Sequence, residues 1–140
     1  MRANGSQSGF TLIELVVVIT ILGILAAFAV PRFASLDTQA RTAARDALGG
    51  SVRSGAALSH ALWLAQGQPA TVTMEGQTIT MTNGYPNLAT INLTIGDLTG
   101  FTYTAATGVF LKTGGAATCT VTYAAAPANG APTITNGGVC

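Results

Sequence analysis

Charge is scarce in this chain: six basic and five acidic residues among 140, or 8% of the whole. A net charge of +1 without a basic patch or acidic tail excludes the electrostatic footprint of nucleic-acid binding and a polybasic membrane-surface signal. One histidine and two cysteines leave no His/Cys cluster for a metal, and no phosphate-cradling glycine motif or nucleophile motif is visible. From Thr71 to Cys140 the acids are Glu75 and Asp97, too few for a calcium site built from several carboxylates. The expectation is a protein without cofactor, metal or catalytic residues. His60 is expected on an exposed part of a helix, and Trp63 between helix and sheet.

What is abundant is apolar surface. Hydrophobic residues make up 49% of the chain and mean hydropathy is +0.47, too apolar for disorder and unusual for a freely soluble globule. The length suits one small domain. Residues Met1 to Gly9 form a short polar leader. Phe10 to Val30 is an almost unbroken apolar run that, at about 1.5 Å per residue, makes a helix of roughly 30 Å, the thickness of a bilayer's hydrocarbon core. From Pro31 to Gly67 the pattern turns amphipathic, with Phe33, Leu36, Ala40, Ala43, Ala47, Leu48, Val52 and Leu62 as the apolar stripe. Gly49, Gly50 and Gly55 mark either a bend or places where another backbone comes close.

Residues 68–140 are rich in Thr, Val, Ile and Gly and read as an antiparallel β domain. Thr71 to Met74 and Thr78 to Met81 flank a hairpin turn at Glu75-Gly76; further strands are expected at Gly100 to Thr104, Val109 to Thr113, Cys119 to Tyr123 and Pro132 to Thr135. Asn83 to Asp97 reads as a loop with a short strand at Thr90 to Ile95, and carries the sequon Asn92-Leu93-Thr94. Cys119 and Cys140 suggest one disulfide in an oxidising compartment, against the alternative of two buried thiols. A bridge closing a loop of this size would contribute roughly 3 kcal/mol on the chain-entropy view.

One residue breaks the apolar run. Glu14 at the middle of a hydrocarbon layer would cost about 2.5 to 3.5 kcal/mol, and the next basic side chain along the helix is Arg32. Its counter-charge must come from another molecule, or from a new amino terminus at Phe10 should the leader be cut after Gly9. An ordinary signal peptide ending at Ala27-Phe28-Ala29 leaves Glu14 unexplained, as does a simple membrane anchor. Charge does not settle orientation, since Arg32, Arg41 and Arg45 after the span outnumber Arg2 before it.

The stretch GFTLIELVVVITILGILAAFAVPRF resembles the start of type IV prepilins and of the pseudopilins of type II secretion. The resemblance is close from Gly9 to about Leu48 and elsewhere extends only to the plan. It implies an α+β pilin fold: a long N-terminal helix, half transmembrane and half amphipathic, packed on a small antiparallel sheet with a disulfide-bounded C-terminal region. It further implies cleavage between Gly9 and Phe10 by a prepilin peptidase, N-methylation of Phe10, pairing of Glu14 with a neighbour's Phe10 amine during assembly, and local melting between Gly23 and Pro31 in a helical homo-oligomeric filament. The partners implied are the inner membrane, which holds the precursor and subunit pool, and an assembly machinery of platform protein, indirectly acting ATPase and secretin. The paucity of acids and the cysteine pair favour a major pilin over a pseudopilin or minor pilin. The Gly84-Tyr85-Pro86 loop and short C-terminal end are most similar to mannose-sensitive haemagglutinin type pilins, which implies surface attachment and leaves motility and DNA uptake as further roles.

Overall fold

The computed structural model describes residues 9–140, with Ala34 described by its backbone alone. The expected leader, apart from Gly9, lies outside the described residues. Helix α1 spans Leu12–Ala65 and includes both Gly23 and Pro31. The chain divides into two compact units, the first ending at Asp37 and the second covering Thr38–Cys140.

In the first unit α1 is opened by Thr11 and Glu14. The Glu14 amide donates to Thr11 Oγ1 at 3.3 Å, and the Thr11 amide and hydroxyl donate to Glu14 Oε2 at 2.9 and 2.8 Å. This reciprocal box satisfies amides that a helix start leaves unpaired. Thr20 returns its hydroxyl to the Val16 carbonyl at 2.7 Å, so that it adds no unpaired donor to the apolar run. The large side chains from Leu12 to Val30 are exposed, and none of the apolar window is buried within the chain.

The second unit is α+β. Strands β1 (Thr71–Met74), β2 (Gln77–Thr82) and β3 (Tyr85–Pro86) form one antiparallel sheet. Strands β4 (Phe101–Thr104), β5 (Val109–Lys112), β6 (Thr120–Ala124) and β7 (Thr133–Asn136) form a second in simple meander order. Two-residue turns set the register of the first sheet: Met74 pairs with Gln77 across Glu75-Gly76, and Thr82 with Tyr85 across Asn83-Gly84. All four turn residues have positive φ, the requirement of the type I′ turn that matches strand twist. Leu48, Val52 and Ala56 of α1 pack with Ile91, Phe110, Val121 and Tyr123, while Leu62 and Trp63 pack against Val72, Ile79 and Met81.

The structure corrects the sequence reading in three places. The buried stripe of α1 in this unit runs Arg45, Leu48, Gly49, Val52, Gly55, Ala56, Ser59, whereas Ala40, Ala43 and Ala47 are exposed. Alanine is a weak marker of a face. At Gly55 the Thr94 side chain and carbonyl leave no room for a Cβ, so close approach is its role, and at Gly49 the end of the Asn136 side chain occupies that space. Arg45 and Ser59 enter because their polar atoms are bonded. Residues Ile91–Thr94 form a 3₁₀ turn rather than a strand; Thr90 takes the β2 backbone groups with its hydroxyl, donating to Thr80 O and accepting from Thr80 N. Finally, His60 is half-buried rather than exposed.

Candidate functional site: the amino-terminal helix face

Gly9 and Phe10 lie exposed ahead of α1, with Phe10 89% accessible. One turn on, Phe10, Ile13, Glu14, Val17 and Val18 line a shallow groove. The i, i+3, i+4 spacing of these residues places them on one helical face. Glu14 therefore presents one carboxylate from an otherwise apolar surface. Its Oε2 accepts from Thr11, whose backbone amide lies one residue beyond the Phe10 nitrogen. The box thus holds the anion at the end of the helix where a cleaved chain would carry its amino group. Arg32 is eighteen residues further on, roughly 27 Å along a helix rising about 1.5 Å per residue, too far to serve. Thr11 was not singled out in the sequence, although the Thr-x-x-Glu pattern before an apolar run is a capping-box signal.

At the other end of the chain Cys119 and Cys140 are disulfide-bonded, with Cα atoms 4.5 Å apart. The bridge closes the β6–β7 hairpin back on itself. The Arg45 guanidinium reinforces it: Nη1 donates to the Gly137 carbonyl at 2.7 Å and to the Gly138 carbonyl, and Nη2 meets Asp46 Oδ1 at 2.8 Å. Asp46 also accepts from Asn136 Nδ2 at 2.8 Å, and Thr118 donates to the Val139 carbonyl at 2.7 Å. The tail is held by side chains as well as by sulfur. No motif advertises Arg45; its partners are backbone carbonyls some ninety residues away.

His60 serves packing. Its Nδ1 lies 2.7 Å from the Gly84 carbonyl, which can only accept, so that nitrogen carries the proton. The ring stacks on Tyr85 at 4.2 Å and on Trp63 at 5.6 Å between centroids. Gly84, at φ 84°, is required there: a Cβ would stand 2.9 Å from Trp63 Cζ3 and 3.2 Å from His60 Nδ1. Among the described residues no three His, Cys, Asp or Glu side chains gather to hold a metal.

Residues 4–30 match the prokaryotic N-terminal methylation motif, so the groove around Glu14 lies within the matched stretch. The chain is also 54% identical over 59 residues to the type IV narrow pilus major component PilA5 of Thermus thermophilus, a stretch covering 42% of this chain and 47% of that protein. The matched stretch thus spans about half the length of that relative. No solved structure matches the chain.

Proposed function

We propose that this chain is the structural subunit of a type IV pilus, made as an inner-membrane precursor and polymerised through α1 into an extracellular filament. The observation that carries the reading is Glu14, a lone carboxylate on a helix face of exposed apolar side chains within a methylation motif. Lipid can cover the apolar residues of Phe10 to Val30 but offers no cation in its core. A neighbouring subunit offers both apolar cover and an amino group. In this reading residues 1–9 are the leader, 10–30 the transmembrane and assembly helix, 31–67 the amphipathic helix, and 68–140 the outer β domain with its disulfide-bounded end. A prepilin peptidase cuts between Gly9 and Phe10 and Phe10 is N-methylated. Glu14 of an incoming subunit then pairs with the Phe10 amine of one already placed, which removes the cost of carrying a bare charge in the hydrocarbon core.

The same reading assigns Gly23 to Pro31 as the stretch that loses helical structure on assembly. Proline lacks an amide and its ring opposes the carbonyl four residues back, at about 3 kcal/mol inside a helix, and a lipid environment penalises unpaired backbone groups. Surrounding subunits relieve that penalty. A platform protein, an ATPase acting indirectly and a secretin complete the machinery. The exposed, nearly uncharged strand half suits packing among identical neighbours, and the plan of the C-terminal half, with Glu75 and Asp97 its sole acids beyond Thr71, supports a major pilin of the mannose-sensitive haemagglutinin type acting in surface attachment. The test is Glu14→Val, which makes the span more apolar. Membrane insertion should be retained and filament yield fall steeply; normal filament yield from this variant would remove Glu14 as the assembly contact.

A further inference from the structure

We propose that Asn129 is a site of self-catalysed deamidation, where the folded chain converts a side-chain amide into a carboxylate without an enzyme. Asn-Gly steps are open to this reaction because glycine has no Cβ to shield its nitrogen from the preceding side chain. The chain has such steps at Asn4, Asn83, Asn129 and Asn136, and Asn4 lies outside the described residues. At Asn129 the Gly130 backbone nitrogen gives its proton to hydroxide and attacks Asn129 Cγ. A new N–Cγ bond forms, the Cγ–Nδ2 bond breaks, and the amide nitrogen takes a proton from water and leaves as ammonia. Water then opens the five-membered imide at either of its carbonyls, giving aspartate or its β-linked isomer. One water enters and one ammonia departs, so the step balances without an oxidant, a reductant or a metal.

The fold closes two of the three described steps. Asn83 Nδ2 donates to the Ala126 carbonyl at 2.8 Å, and the Gly84 that follows is buried, with the Trp63 and His60 rings where a Cβ would stand. Asn136 Nδ2 donates to Asp46 Oδ1 at 2.8 Å, and the Gly137 amide donates to the Thr120 carbonyl at 2.7 Å. Turning either carboxamide onto the next nitrogen breaks its bond, and at Gly137 the attacking nitrogen must leave a β6 carbonyl as well. Asn129 is placed differently. It is exposed in the connection between β6 and β7, and among the described residues its side-chain amide has no hydrogen-bond partner. The Gly130 amide donates to the Pro127 carbonyl at 3.1 Å, one turn bond in a segment exposed at Pro127, Ala128, Asn129 and Ala131. Exposed connections with few bonds open locally at little cost. The product adds one negative charge to a stretch, Thr71 to Cys140, whose acids are Glu75 and Asp97. The reaction needs neither membrane nor filament, so it stands or falls separately from the pilus reading.

The test compares the three steps within one molecule. The full-length chain in detergent is held at mildly alkaline pH, and samples taken over weeks are digested and sequenced by mass spectrometry, which reads amide against carboxylate separately at residues 83, 129 and 136. Loss of the amide at Asn129 is expected to run about tenfold or more ahead of loss at Asn83 or Asn136, the rate equivalent of a hydrogen bond that must break first. A parallel sample unfolded in urea has lost the bonds that hold Asn83 and Asn136, and there the lead of Asn129 should disappear. An amide retained at Asn129 throughout, equal or faster loss at Asn83 or Asn136 in the folded chain, or a lead of the same size in urea would each overturn the assignment.

Discussion

Removing the Arg45 guanidinium tests how the C-terminal tail is held. Arg45→Met keeps an aliphatic stem in the buried position and deletes every donor. Two of the lost bonds run to the carbonyls of Gly137 and Gly138, and the pair with Asp46 is lost as well. Asp46 is half exposed, so its pairing counts for under about 1 kcal/mol. A hydrogen bond from a charged group is worth about 1.5 to 3 kcal/mol, and the lower figure applies because Gly137 and Gly138 are exposed and water can replace the donor. Burial of the methionine recovers about 1 kcal/mol. The net expectation is a loss of about 2 kcal/mol in denaturant unfolding of the detergent-solubilised chain, with faster hydrogen exchange at the amides of residues 137–140. Cys140→Ser releases the same tail, so the double variant should cost less than the sum of the single ones by at least about 0.5 kcal/mol. A loss below about 0.5 kcal/mol, or strict additivity with Cys140→Ser, would show that the guanidinium does not clamp the tail.

Gly84→Ala should destabilise the chain by about 2 kcal/mol or more, since positive φ costs a side chain roughly 1 to 2 kcal/mol and the new methyl meets the Trp63 ring; a changed near-ultraviolet signal from Trp63 with a lowered denaturant midpoint checks this. Tyr123, buried with its hydroxyl 2.7 Å from the Pro86 carbonyl, resists ionisation first because of burial and then because of the Tyr103 and Tyr85 phenols nearby. Its folded pKa lies above the unfolded value of about 10, so its contribution is intact below that pH and is lost as pH rises beyond it; phenolate absorbance from Tyr123, assigned with Tyr123→Phe, should appear together with loss of the fold, and ionisation near pH 10 in the native fold would contradict this. In a side-chain-resolution map of the filament, the segment between Gly23 and Pro31 should contain a non-helical stretch, and unbroken i to i+4 bonding from Phe10 through Phe33 would rule that out.

Local signals carried the reading where one short-range rule decided the structure. Thr71 to Met81 alternates around Glu75-Gly76 and folds as the expected hairpin; the strands near 101, 109, 120 and 133 fall within two residues of their expected positions. The same rule applied to Asn83-Gly84 would have found the second hairpin, which was hidden in a stretch taken for loop because β3 is two residues long. Elsewhere long-range partners decided. Thr90 stands at the head of the 3₁₀ turn, where its hydroxyl engages Thr80 across ten residues. The phase of α1 depends on carbonyls at 137 and 138 that draw Arg45 inward, and on Thr94, whose side chain and carbonyl sit against Gly55. His60 is drawn in by the Gly84 carbonyl and two ring neighbours. Periodicity alone contains none of this information. Glu14 stands out in the sequence because an acid in an apolar run is costly wherever the chain folds, whereas its bonds to Thr11 are seen only in the structure.

The most direct test of the filament account is the intact mass of the protein in filaments sheared from cells that express it. The account predicts a single species beginning at Phe10, carrying one added methyl group, with Cys119 and Cys140 joined. A species that retains Met1, or one that begins at Val30, would contradict it.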